Sequence, residues 1–282
     1  MNNAELYHRY NIITKRDALQ CLEEYEKRIK WKKGEITVID IGSGDGSVTM
    51  NILKKIIPNN CEKLVGCDIS EAMVQYANDH YANDHTSFMV LDIERDLPNE
   101  LRGNFDHAFS FYVLNWIQHQ EVAFRNIHDL LSEGGECFLV FLGHMPMFDV
   151  YRTLSRSTRW KLWMKDVERF ISPYHDCQDP EKKVKELMTS IGFTSVEVKC
   201  LQKTFVYPNL DALKDFKKKP VTKTQHNFPR SFLSQRPTIP CVGGTYMYKY
   251  LRNTLLTRLS AETEPNARIP ELLFDISKNI GK

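Results

Sequence analysis

Three glycines at alternate positions, Gly42, Gly44 and Gly46, follow the β-branched run Ile36, Val38, Ile39 and Ile41 and lead into a helical pattern. A turn built on glycines between a strand and a helix brings bare backbone up to a ligand with no Cβ in the way. The spacing Gly-x-Gly-x-Gly differs from the Gly-x-Gly-x-x-Gly of dinucleotide sites, where the third glycine packs helix on strand and a pyrophosphate meets the helix N-terminus. Asp40, two residues before the turn, adds an anion that repels a pyrophosphate and suits a cationic amino-acid ligand. Two more acids end later apolar runs: Asp68 closes Leu64-Val-Gly-Cys-Asp68, and Asp92 follows Ser87-Phe-Met-Val-Leu91. In doubly wound folds an acid placed like Asp68 accepts hydrogen bonds from both hydroxyls of a ribose, each charge-assisted bond contributing roughly 1.5 to 3 kcal/mol. The other role open to Asp68 is a helix cap, for which Ser70 is better placed.

Bringing these residues together requires alternating strands and helices. Thr14-Lys-Arg-Asp17 has the form of a capping box, and Ala18, Leu22, Tyr25 and Ile29 continue it as a helix ending near Trp31. Val48, Ile52, Leu53 and Ile56 predict a helix from the glycines to Pro58, and 70–81 predicts another. Strands are expected at 64–68, 87–91, 105–111 and 137–142, with a helix over 121–131 stopped by Gly134-Gly135. A helix ended by Gly192 and a final strand pair, 195–199 with 204–206, complete the pattern. The fold expected is α/β, a Rossmann-like, mostly parallel doubly wound sheet. Its ligands bind beyond the carboxyl ends of the strands, where 42–46, Asp68, Asp92 and 112–116 converge.

The composition, 42% hydrophobic with 11% aromatic residues over 282 positions, supports a sizeable core. A net charge of +2 gives no footprint for nucleic acid, and no apolar run is long enough to span a bilayer. The N-terminal residues lack a signal-peptide pattern, and seven scattered cysteines without a Cys-x-x-Cys pair indicate a reduced, cytoplasmic protein. The nine histidines never fall at His-x-x-x-His spacing and no Gly-x-Ser-x-Gly elbow occurs, so zinc and serine-hydrolase chemistry are set aside and no metal is expected. His119 and His144 lie near the expected site but read as structural.

The glycine turn, Gly66-Cys-Asp-Ile-Ser70, Leu91-Asp-Ile93 and Phe109-Ser-Phe-Tyr-Val-Leu-Asn-Trp116 resemble the class I S-adenosylmethionine-dependent methyltransferases. Met1-Asn-Asn-Ala-Glu-Leu-Tyr7, Arg16-Asp17-Ala18, Asn104-Phe-Asp-His107 and Phe170-Ile-Ser-Pro-Tyr174 narrow the resemblance to the insect juvenile hormone acid O-methyltransferases, up to about Tyr207. That resemblance implies S-adenosyl-L-methionine as cofactor, held by Asp40, Gly42, Gly44, Asp68, Ile69, Asp92, Ile93 and Ser110. Within that set, Gly42 and Gly44 approach the methionine part, Asp68 the ribose, and Asp92 with Ile93 the adenine. It assigns Trp116 to the substrate carboxylate, and places Thr14 where the family has a glutamine that shares this task. Threonine has the shorter reach, and as a helix cap it would leave the carboxylate one donor fewer.

Residues 1–207 then form the methyltransferase domain, with the first helix and an apolar lid at 143–180. Met147, Phe148, Tyr151, Trp160 and Trp163 in that lid suit either a core cover or the wall of a pocket for an acid of farnesyl size. Residues 208–282 are expected to be a basic connector and a C-terminal helix; there is no acid between Asp215 and Glu262. The expected activity is O-methylation of a hydrophobic isoprenoid acid, farnesoic acid or juvenile hormone acid, by direct displacement without base or metal. The alternative is a paralogue that binds cofactor or a juvenoid acid with little turnover. A homodimer is compatible with either.

Overall fold

The structure, a computed structural model, describes residues 4–158, 160–206 and 268–279. Seven strands carry it: β1 (Ile36–Ile41), β2 (Cys61–Asp68), β3 (Thr86–Val90), β4 (Phe105–Phe111), β5 (Leu131–Leu142), β6 (Glu197–Val206) and β7 (Arg268–Asn279). They form one sheet in the order β3-β2-β1-β4-β5-β7-β6. β1 to β5 pair in parallel, and β7 runs antiparallel to both β5 and β6. The strand order reverses between β1 and β4, so the crevice past their carboxyl ends is the switch point at which such sheets bind ligands.

Period-two alternation explains why both faces are covered. On β1, Ile39 and Ile41 join one core with Phe124 and Ile127 of α5 (Gln120–Leu130) and Val184 and Met188 of α7 (Pro180–Ile191). Ile36 and Val38 face the other way, toward Ala18, Leu22 and Tyr25 of α2 (Ile12–Tyr25) and Leu53. β5 alternates in the same manner, Cys137, Leu139 and Phe141 to one side and Phe138, Val140 and Leu142 to the other. α4 (Glu71–Tyr81) closes over β3 through Val74, Ala77 and Phe88. No described helix is long and apolar enough to cross a membrane, and no described cluster of His, Cys, Asp and Glu is arranged to hold a metal.

Four local expectations are corrected. The capping box does not form: the helix begins at Ile12 with Asn11 at its N-cap, so Thr14 lies inside the first turn and caps nothing. Its end at Tyr25, continued by a short 3₁₀ turn over Glu26–Arg28, falls before Trp31. Gly134 and Gly135 lie within β5, where the pairing with β4 jumps from Phe105↔Leu131 to His107↔Glu136; they make an irregularity in the strand instead of a helix stop. The expected final strand pair is a single strand, β6, whose partner is β7. The expected helix within 246–259 lies outside the described residues.

The segment 143–180, expected as a lid, carries α6 (Pro146–Ser155), opened by proline at its start, and a 3₁₀ turn at Val167–Phe170. Within that segment Phe148, Leu154, Trp160 and Met164 are buried, whereas Leu162 and Trp163 are exposed.

Candidate active site

The chain after β1 turns on Gly42, Gly44 and Gly46 at φ of +74°, +56° and +78°, values that side chains with a Cβ rarely adopt. Gly42 is needed for a second reason, since a Cβ there would lie 2.0 Å from a methyl of Val113, in the segment after β4. The loop is pinned to the end of β2. Gly42 and Ser43 donate their amides to the Cys67 carbonyl at 2.7 and 2.9 Å, and Gly44 N–H donates to Asp68 Oδ2 at 3.0 Å. Asp68 Oδ1 accepts the Ser70 amide at 2.9 Å, so the carboxylate is fixed between the glycine loop and the start of α4. Burial raises its pKa; the two amides oppose that shift and the nearby Asp45 adds to it.

Asp40 is fully buried under the loop and accepts from Thr49 Oγ1 at 2.5 Å. Thr49 opens a widened π segment, Thr49–Leu53, in the helical stretch that follows the glycines and continues as α3 (Lys54–Ile56). Desolvation pushes the Asp40 carboxyl up to about 7, with the charge of Asp68 adding to the shift. A third acid, Asp45, accepts from Ser47 Oγ at 2.8 Å and meets His8 Nδ1 at 2.7 Å. A rim with three carboxyl groups and an open glycine backbone suits a ligand that carries positive charge and paired hydroxyls.

α1 (Ala4–Tyr10) covers this rim, an arrangement without a signal in local spacing. The Tyr7 ring lies 3.1 Å from where a Cβ on Gly44 would sit, and burial beside Asp45 and Asp68 pushes its phenol up to about 12. Asn11 and Thr14 hydrogen-bond that phenol, and Asn11 Nδ2 also donates to Ser47 Oγ at 3.2 Å. Thr14 is thereby brought to the glycine loop through Tyr7.

The other expected residues fall around the same edge with different exposures. Ile69 is 65% exposed beside Asp68, an apolar surface suited to a flat ring. Asp92 is half-buried and accepts the Glu94 amide at 3.0 Å. Ile93 turns its side chain into the core while its carbonyl accepts from Asn126 Nδ2 at 2.8 Å, so a role toward a ligand belongs to its backbone. Ser110 is sealed between β4 and β1, its hydroxyl donating to the Ile41 carbonyl at 2.9 Å. After β4, Tyr112 adopts φ of +65° and its hydroxyl bonds Asp17, a buried acid on α2. That left-handed residue swings the chain into the turn Leu114–Trp116, which leaves the Trp116 indole 49% exposed. Phe148 of α6 meets the indole edge-on, ring centroids 6.4 Å apart at 88°.

A methyltransferase-domain family model matches residues 39–137, the span from β1 into β5 that contains the glycine loop, Asp68, Asp92 and Trp116. Juvenile hormone acid O-methyltransferase of Bombyx mori is 58% identical over 214 residues, covering 76% of this chain and 77% of that protein. This chain belongs to the juvenile hormone acid O-methyltransferase family. The Drosophila melanogaster juvenile hormone acid O-methyltransferase is 42% identical over 220 residues, covering 76% of this chain and 73% of its own length. The family's fold is the class I methyltransferase fold. The YcgJ protein from Bacillus subtilis superposes with a TM-score of 0.55 at 15% identity, over 93% of this chain and 99% of that one. Haemonchus contortus phosphoethanolamine N-methyltransferase 2, solved with S-adenosyl-L-methionine, gives 0.52 at 16% identity over 95% of this chain and 53% of that one.

Proposed function

We propose that this chain transfers the methyl group of S-adenosylmethionine to the carboxylate of an apolar isoprenoid acid, farnesoic acid or juvenile hormone acid. The observation that carries this reading is the glycine loop locked to Asp68 at 3.0 Å, with the half-exposed Trp116 on the same edge of the sheet. When bound, S-adenosylmethionine would supply an electrophilic sulfonium methyl, which a carboxylate oxygen takes as the methyl–sulfur bond breaks and S-adenosylhomocysteine leaves. The backbone of the Gly42–Gly44 loop would hold the cofactor's methionine part, Asp68 would accept from the ribose hydroxyls, and Ile69, Asp92 and the Ile93 backbone would flank the adenine. Asp40, held by Thr49, supports the loop from beneath. The Ser110 hydroxyl, engaged by Ile41, supports the site by holding β4 against β1.

A substrate carboxyl with a pKa near 4 to 5 is ionised at neutral pH, so no general base is needed. Trp116 Nε1–H holds one of its oxygens and leaves the other to react. The α6 lid supplies apolar cover and keeps water out; burying a dozen or so carbons at about 0.8 kcal/mol each provides on the order of 10 kcal/mol before association costs. Catalysis then rests on alignment in a dry pocket. Residues 1–207 form the catalytic unit, and β7 from the following segment completes its sheet. Its partners are small molecules and its compartment is the cytoplasm, in keeping with six described cysteines that are all free thiols.

Trp116→Phe tests the assignment, because it keeps the aromatic ring and removes the N–H. Ester formation is expected to fall by about tenfold or more, with S-adenosylmethionine affinity unchanged. An unchanged rate overturns the carboxylate role.

A further inference from the structure

Trp116 lies in a single turn and is half-exposed, so burial does not hold it in place. Something else must fix an indole that is to orient a carboxylate to within a fraction of an ångström. The turn's own backbone shows what does. The Leu114 and Ile117 carbonyls both point at the side chain of Gln120, whose Nε2 donates to them at 2.6 and 2.7 Å. Gln120 Oε1 in turn accepts from the Tyr174 hydroxyl at 3.1 Å. All of these groups are buried, Gln120 at 8% exposure and Tyr174 at 2%. Both amide hydrogens and the amide oxygen are therefore matched, which leaves this side chain one orientation.

Gln120 is the first residue of α5, yet it does not act as an N-cap. A capping side chain accepts from amides of its own helix; here the side chain donates backward to the turn that precedes it. Tyr174 belongs to a segment that also ties down the lid. Ser172 Oγ donates to the Leu142 carbonyl at the end of β5, and His175 Nε2 pairs with Asp149 of α6 at 3.0 Å. Phe148, next to Asp149, is the residue that walls the indole. Adjacent residues, Tyr174 and His175, thus fix the backbone beneath Trp116 and the ring beside it.

We propose that Gln120, oriented by Tyr174, is a positioning residue for methyl transfer: it sets the 114–117 turn so that Trp116 meets the substrate carboxylate. This rests on the reading of Trp116 given above. Removing both donors strands the buried Ile117 carbonyl, leaves the Leu114 carbonyl with only the Ile117 amide at 3.3 Å, and loosens the turn; a displacement near 1 Å at a reacting group lowers rates by about a hundredfold.

The test is a double-mutant cycle on kcat/KM for farnesoic acid, with S-adenosylmethionine affinity measured by calorimetry on each variant. Gln120→Met, similar in volume and unable to donate, is expected to lower kcat/KM by about ten- to a hundredfold with cofactor affinity within about twofold. In a Trp116→Phe background the same change is expected to have less than about a twofold effect, since the group it positions is gone. An equal loss in both backgrounds, or no loss in the parent, overturns the proposal. Trp116→Phe with full activity overturns the tryptophan reading, and the positioning role falls with it. Should Gln120→Met fail to fold, Tyr174→Phe, which removes one hydroxyl, is run through the same cycle with an expected loss of about three- to tenfold, and the same criterion of additivity decides.

Discussion

Asp40 and Thr14 flank the glycine loop from below and above, and each departs from what its spacing alone implies. Asp40 binds its proton more tightly folded than unfolded, because burial raises its pKa from 3.8 to about 7. Between about pH 4 and 7 the native chain therefore holds a proton there that the unfolded chain has lost, and stability from this group falls as pH rises across that window. Asp40→Asn removes the contribution: thermal melts of the unliganded protein are expected to show a shallower loss of Tm from pH 4 to 7 than the parent, and an identical slope contradicts the assignment. Thr14, bonded to the Tyr7 phenol, supplies the carboxylate with no donor that the structure shows. Thr14→Gln is expected to raise kcat/KM for farnesoic acid by about tenfold or more, if its amide reproduces a charge-assisted bond of roughly 1.5 to 3 kcal/mol. An unaltered kcat/KM would mean that Trp116 orients the acid alone. Asp68 and the glycines were legible in the sequence because a strand-end acid and an αL backbone leave local signatures. Tyr7, Asp45 and Gln120 were not, since their partners lie far along the chain or become visible only once a turn has formed.

Strands and helices were read well where periodicity is local, as for β4 at Phe105–Phe111, and poorly where tertiary contacts set the ends. Helix α2 begins earlier than a capping-box spacing suggests, with Asn11 at its N-cap and the Asn11 side chain anchored on Ser47. At the loop itself, the glycines differ in what surrounds them. A Cβ on Gly42 would meet a branched Val113 side chain at 2.0 Å, whereas one on Gly44 meets the edge of the Tyr7 ring at 3.1 Å. Both carry positive φ, so both substitutions are strained, but Gly42→Ala adds a clash that needs the β4 turn to move. It is expected to destabilise by about 2 to 4 kcal/mol, and Gly44→Ala by about 1 to 2, in denaturant unfolding. The reverse ranking would mean that Val113 yields more readily than Tyr7.

The whole sheet depends on a strand that local pattern does not announce. β7 inserts between β5 and β6 and pairs with ten residues of β6, from Glu197↔Ser277 to Val206↔Arg268. A pairing across so long an interval leaves no mark in local spacing, which is why the single strand β6 read as two short strands paired with each other. The parallel half of the sheet, by contrast, was legible as alternating strands and helices, and with it the edge where the glycine loop, Asp68 and Trp116 meet. Whether that edge performs methyl transfer is decided by one measurement on the intact chain. Incubated with methyl-labelled S-adenosylmethionine and farnesoic or juvenile hormone acid, the protein is expected to form labelled methyl ester and S-adenosylhomocysteine in equal amounts. Binding of both compounds with no labelled ester would contradict the assignment.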